Sequence, residues 1–237
     1  MTRMNLGEHT LSALRVQLRA VDCQTCGRPF LRWQRPALAV YTDGEYADAS
    51  LHHVGCHRPG WHEGWIEPVL DRQHLSWRAG TFVLPARLML GLSSDDIPFF
   101  LVNPAFEAAL LHHRDGRGWQ VWTVQFFKEL GLDLRGSTAL SSAGPTPTLA
   151  ASIEDHRISV TVRSGEAHHH WPNIPIFPET ARLVRARGSI VVGVTTRLDV
   201  CQRLSHPEIA AGATSGSMAV GVAALAPKGK GRRRRKH

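Results

Sequence analysis

Cysteine is scarce in this chain, with four in 237 residues, and two of the four form a Cys-x-x-Cys pair. In a reducing compartment that usage points to metal binding or thiol chemistry rather than to a disulfide framework. Long apolar runs are missing as well. The first twenty residues carry Arg3, Glu8, Arg15 and Arg19 without an uninterrupted apolar stretch, so neither a secretory leader nor a membrane helix is expected there. The weakly polar stretch 218–226 is too short to cross a bilayer and consists mostly of Ala, Gly and Val. These absences lead to the expectation of a cytoplasmic protein with no membrane partner. The sequence also lacks an internal repeat, a nucleotide-binding glycine loop and a Gly-x-Ser-x-Gly elbow.

What is present is enough apolar material for a real core, 43% of residues against 20% charged. The formal charge of +8 suggests an acidic partner such as DNA or RNA, but its location matters more than its size. Seven positive residues, Lys228, Lys230, Arg232, Arg233, Arg234, Arg235 and Lys236, lie in the last ten positions and leave only +1 for the remainder. Arginine outnumbers lysine 24 to 4, a bias that a GC-rich genome produces without functional demand.

Composition divides the chain into three regions. Residues 1–65 hold three of the four cysteines and five of the fourteen histidines, and read as a small metal-organised module. Residues 66–209 mix helical and strand signals and are expected to form an α+β domain. Residues 210–237, where Ala, Gly, Ser and Thr replace larger apolar residues before the basic run, read as a disordered linker and tail. Inside the second region, Asn103-Pro104 predicts a helix ending by Asp115-Gly116, with Phe106, Leu110 and His113 on one face. Trp119, Trp122, Phe126 and Leu130 recur at helical spacing before Gly131, although the aromatic content also suits a strand. Residues 137–150 are expected to form a surface loop. Ile158, Val160 and Val162 alternate with polar residues as in a strand, Pro178-Glu179 opens a helix that Gly188 closes, and residues 189–195 form a Val-rich strand.

The strongest signal lies near the N-terminus. Two cysteines separated by two residues let one tight turn present both thiolates to the same ion, and Cys23-Gln24-Thr25-Cys26-Gly27 has that shape. His53-Val54-Gly55-Cys56 repeats the gap, giving Cys-x2-Cys-x26-His-x2-Cys. The residues between the two pairs suffice for a β-hairpin, with residues 37–41 as a strand and Thr42-Asp43-Gly44-Glu45 as the turn. The expected ligands of a structural Zn2+ are Cys23, Cys26, Cys56 and one histidine. His53 is favoured by its i, i+3 relation to Cys56, with His52 next and His57 also close enough. A thioredoxin-like redox pair is a competing account, but Arg28-Pro29-Phe30 does not begin the helix that such a motif needs.

This spacing resembles that of treble-clef fingers with Cys-Cys-His-Cys ligands, including the finger type of poly(ADP-ribose) polymerases and, more loosely, the first half of a LIM domain. The resemblance covers about forty residues and implies zinc binding. The aromatic pair that precedes the ligand histidine in the polymerase finger is Leu51-His52 here, and no second LIM half-site follows.

Other polar clusters have simpler readings. His168-His169-His170 beside Glu166 cannot all face one ion from a regular strand and read as an exposed polar loop. His112-His113 with Asp115 read as histidines favoured by a helix C-terminus rather than as an acid-base pair. Cys201 has no identified base and reads as core. Trp61, Trp65 and Trp77 read as packing that seals the metal module, the alternative being stacking on unpaired bases. The expectation is therefore a non-enzymatic zinc-finger protein that associates with nucleic acid, in part through its basic tail, or with other proteins. The competing class is a metal-dependent hydrolase or nuclease using Glu45, His57, His62 or Glu63 beside an open coordination position.

Overall fold

A computed structural model of the chain describes residues 2–64, 78–85, 96–104, 106–134, 143–165, 167–200 and 204–226. Helix α1 (Thr2–Gln17) opens the chain and bends at Gly7, where φ is +74. The expected hairpin follows: β1 (Pro36–Asp43) pairs antiparallel with β2 (Tyr46–His53) around Gly44 and Glu45. Gly44 has φ +60, a left-handed backbone that glycine adopts without steric cost. The short β3 (Gly60–Glu63) adds parallel to β1. Two further strands, β4 (Ala79–Leu84) and β5 (Ile97–Val102), leave for a second sheet, and β6 (Ala108–Arg114) and β7 (Gly118–Val121) return to the first. The first sheet thus has the order β3-β1-β2-β6-β7. Its members come from both sides of residue 65, so the expected boundary there falls inside one structural unit.

The described residues of 103–116 form no helix. Ala109 and Leu111 are buried against α1 while Leu110 and His112 point to the other face, so the segment has a period of two. Asn103 does not cap a helix; it is buried and donates from Nδ2 to the Leu198 carbonyl at 3.1 Å. The next expected helix is divided. Trp119 lies in β7 with its ring edge-on to Trp61, and only α2 (Thr123–Glu129) is helical before Gly131 takes φ +98. Leu6 and Leu14 of α1 close the core of this unit over Val40, Ala47, Ala49, Leu111 and Trp119.

The second sheet is completed by β8 (Leu149–Glu154), β9 (Arg157–Ser164), β10 (Ala167–Pro175), β11 (Ser189–Val194) and β12 (Ala219–Leu225), in the order β10-β9-β8-β12-β11-β5-β4. Helices α3 (Pro178–Arg187) and α4 (His206–Thr214) accompany it. The expected strand over 158–162, the helix from Pro178 to a left-handed Gly188 and the Val-rich strand after it are all present. The disorder expected from residue 210 is not found over 210–225. Those residues end α4 and form β12, which runs inside the sheet between β8 and β11. Small residues are used there because packing is tight: a Cβ on Gly221 would stand 2.6 Å from Leu149, and Ala219 and Ala223 are fully buried. The basic residues from Lys228 to Lys236 lie outside the described residues, as do Trp65, Trp77, Glu166, Cys201 and residues 137–142 of the expected loop, whose last two residues, Leu149 and Ala150, instead begin β8. The histidine run is not a loop but lies on edge strand β10, where His170 meets Thr161 and His169 packs on Phe127. Among the described residues, no helix is long and apolar enough to cross a membrane.

The face of the first sheet turned away from α1 is polar, carrying Tyr41, Tyr46, Asp48, Ser50, His52 and His62. Desolvation pushes the Asp48 carboxyl up to about 6 from 3.8, although Ser50 hydrogen-bonds to it. A raised carboxyl favours the folded state below its unfolded pKa and loses that contribution as pH climbs toward 6. Asp48→Asn is therefore expected to stabilise the protein at pH 7 by about 1 kcal/mol, discounted because the residue is only half-buried, and to be neutral at pH 3. Urea midpoints of both proteins across this range check it; an equal difference at both pH values refutes it.

Candidate metal centre

Cys23 sits at the start of a tight turn in which the Gly27 amide donates to the Cys23 carbonyl at 2.8 Å, with Gly27 at φ +68. This is the knuckle that the Cys-x-x-Cys-Gly run encodes. The second knuckle begins where β2 ends: the amides of Cys56 and His57 both donate to the His53 carbonyl, at 2.8 and 3.0 Å, folding Cys56 back toward the imidazole. The register carries the second knuckle onto the first, because the Gln24 amide donates to the Leu51 carbonyl at 3.1 Å.

The ligand atoms of Cys23, Cys26, His53 and Cys56 lie within 4.8 Å of one another. His53 Nδ1 is 3.4 Å from the Cys26 sulfur and 3.9 Å from that of Cys56. A tetrahedron with metal–sulfur bonds of about 2.3 Å and a metal–nitrogen bond of about 2.0 Å has edges of roughly 3.5–3.8 Å. The four donors therefore fit around one metal ion. Cys23 is fully buried, which pushes its thiol up, but donated backbone N–H groups from His53, Cys26 and Thr25 outweigh this and hold it below the ordinary value. The His53 amide lies 3.2 Å from that sulfur. Although Cys56 is an exposed residue, its thiol is pushed up to about 11 by partial desolvation against the cluster and by the neighbouring Cys26 and Cys23. Three thiolates this close repel one another unless a cation stands between them.

The geometry separates the three candidate histidines. His52 is buried, with Nδ1 meeting the Thr25 hydroxyl at 2.8 Å and Nε2 meeting Ser50 at 3.0 Å, so both its nitrogens are engaged. Desolvation, with the nearby His57, lowers its pKa to about 4, and it stays neutral. His57 donates from Nδ1 to the Arg58 carbonyl at 2.9 Å and meets the Tyr41 hydroxyl with Nε2. His53 alone turns a ring nitrogen to the sulfurs, and Phe30 packs on its ring at 4.6 Å. His53→Ala is expected to weaken metal retention at least tenfold, whereas His52→Gln leaves stoichiometry unchanged; competition with a chromogenic chelator measures both.

Sequence reasoning missed the support beneath the first knuckle. Glu107, fully buried, accepts the Asp22 amide at 2.8 Å and the Gln24 side-chain amide at 3.1 Å, the two residues that flank Cys23. Arg78 grips Glu107 with two nitrogens, one at 2.6 Å, reaches Asp22 at 3.2 Å and stacks on Phe106. Burial pushes the Glu107 carboxyl up even with Arg78 and the Asp22 amide pulling it down. Its sequence neighbourhood resembles no cap or motif, so only the fold reveals it.

The candidate carboxylates of a hydrolytic site are placed elsewhere. Glu45 occupies the β1–β2 turn, 3.7 Å from His112, and Glu63 ends β3 beside Thr42. Both are at the end of the hairpin opposite His53, about 20 Å away at the rise of a strand. His112, His113 and Asp115 lie on and after β6, so the expected helix-dipole account of these histidines does not apply; with Glu45, Arg114 and Arg117 they line a cleft of about 430 Å³. The chain matches no known protein family, no curated protein and no solved structure.

Proposed function

We propose that this is a non-enzymatic protein whose N-terminal unit is organised by a structural zinc ion and which associates with nucleic acid. The observation that carries the reading is the donor set itself, three thiolates and one imidazole converging from two knuckles. Soft, tetrahedral Cys3His sets suit Zn2+, and four protein ligands leave no position for a reacting water. The hydrolase alternative needs a neighbouring base; Glu45 and Glu63 stand at the far end of the hairpin, His62 stacks on Tyr41 at 4.8 Å, and His57 is engaged by Tyr41 and the Arg58 carbonyl.

The nucleic-acid part rests on charge. Seven cationic side chains in the last ten residues can neutralise phosphates without reading sequence, which makes affinity strongly salt-dependent. Removing residues 228–237, beyond the last strand, is expected to reduce the slope of log K against log salt by as much as about 0.9 per lost cation on duplex DNA. Filter binding of DNA and RNA at two salt concentrations tests this. Full-length protein that binds neither at low salt refutes the nucleic-acid reading; a protein partner is then the remaining role for such a module.

A further inference from the structure

Between the two knuckles the chain makes a strap, residues 31–35, in which every residue is exposed. Both its ends are fixed on the metal centre. Phe30, before it, packs on the His53 ring at 4.6 Å, and Pro36, after it, is in register with His53. The strap itself is a closed turn: the Gln34 amide donates to the Leu31 carbonyl at 2.8 Å, and Gln34 Oε1 accepts the Leu31 amide at 2.8 Å. At its tip Trp33 is 79% exposed, beside Leu31 at 48%. A tryptophan that buries so little of its ring serves no core, and the turn that presents it is internally bonded and anchored at both ends.

Charge supplies the second observation. Residues 23–42 and 49–62 contain Arg28, Arg32, Arg35 and Arg58 and not one Asp or Glu. The four arginines outweigh the single net negative charge of a divalent ion with three thiolates. Since the chain before its tail carries a net charge of only +1, this excess is local to the knuckles and strap. An exposed planar aromatic face with arginines at neighbouring chain positions fits an unpaired base together with its flanking phosphates. Duplex DNA offers no free base face away from its ends, and an acidic peptide has no use for the ring.

We infer that the strap, through Trp33 stacking and Arg28, Arg32 and Arg35 on phosphates, is a binding surface for single-stranded nucleic acid separate from the basic tail. It rests on the nucleic-acid reading above and assigns that reading a site on the folded unit.

The test uses full-length protein and a fluorescent twelve-nucleotide oligo-dT, with the same length of duplex as a comparison and polyglutamate as a competitor. Four variants are compared with the parent: Trp33→Ala, Trp33→Phe, a joint Arg28→Ala, Arg32→Ala and Arg35→Ala variant, and one with Arg232 to Arg235 changed to serine. All altered residues are exposed or outside the described core, and unchanged metal content certifies the fold. The expected results are a loss of about tenfold or more for Trp33→Ala, recovery of most of it by Trp33→Phe, and a salt slope about 2 smaller for the triple arginine variant. The serine variant keeps the dependence on Trp33. Oligo-dT binding that ignores Trp33 but falls in the serine variant overturns the strap and leaves the tail as the contact. Equal affinity for duplex overturns stacking. No binding of either nucleic acid by the parent overturns both readings, and Trp33-dependent binding of polyglutamate alone replaces them with an acidic protein partner.

Discussion

Cys23→Ser is expected to release the metal ion and to destabilise the N-terminal unit by about 4 kcal/mol or more. A structural zinc contributes on the order of 10 kcal/mol to the folding of an isolated finger. Here the cost is smaller, because Leu6, Leu14, Val40, Leu111 and Trp119 give the unit a core of its own. The damage should be local: protease sites open between residues 23 and 58, while the second sheet, whose core clusters share no residue with this one, keeps its protection. Cys56→Ser should be milder. Cys56 is exposed, so water can solvate the new hydroxyl, whereas a serine at the fully buried Cys23 position inherits backbone donors arranged for a thiolate. If both variants keep one metal per chain and full protease resistance, the centre is not what holds this unit together.

Glu107→Gln is expected to cost about 3–5 kcal/mol, the usual penalty for leaving one member of a buried ion pair without its partner charge. Arg78, 2% exposed, would then keep Asp22, at 3.2 Å, as its one carboxylate partner among the described residues. Since Glu107 also holds the Asp22 and Gln24 groups on either side of Cys23, the same variant should speed metal loss to a chelator about tenfold. A joint Arg78→Met and Glu107→Leu variant removes the unpaired charge and should recover part of the stability but not the chelator resistance, because the Asp22 amide remains unpaired. Urea midpoints and chelation rates separate the two effects. A Glu107→Gln protein as stable as the parent would mean that the pair is not the fixed support described above.

The Cys3His cluster was legible because coordination chemistry demands particular residue types at particular gaps, and both half-sites lie within a short stretch of chain. The hairpin between them was legible for a related reason: Asp43-Gly44 allows few backbone paths. Strand β6 was not, since Asn103-Pro104 resembles a helix start and the period of two in residues 108–114 shows only once Leu111 is known to face α1. β12 was misread because Ala, Gly and Val mark either a chain that cannot bury itself or a strand with no room for anything larger. That distinction is made by Leu149 against Gly221, which sequence order does not bring together. The Arg78–Glu107 support depends on residues far apart in the chain, and no local pattern announces it.

The most direct measurement is metal content of the full-length protein by mass spectrometry, with reactive thiols counted before and after chelation. The expected result is one divalent ion per chain and three thiols, those of Cys23, Cys26 and Cys56, that become reactive only when the ion is withdrawn. A metal-free protein whose three thiols react freely, and whose N-terminal unit resists protease without any ion, would contradict it.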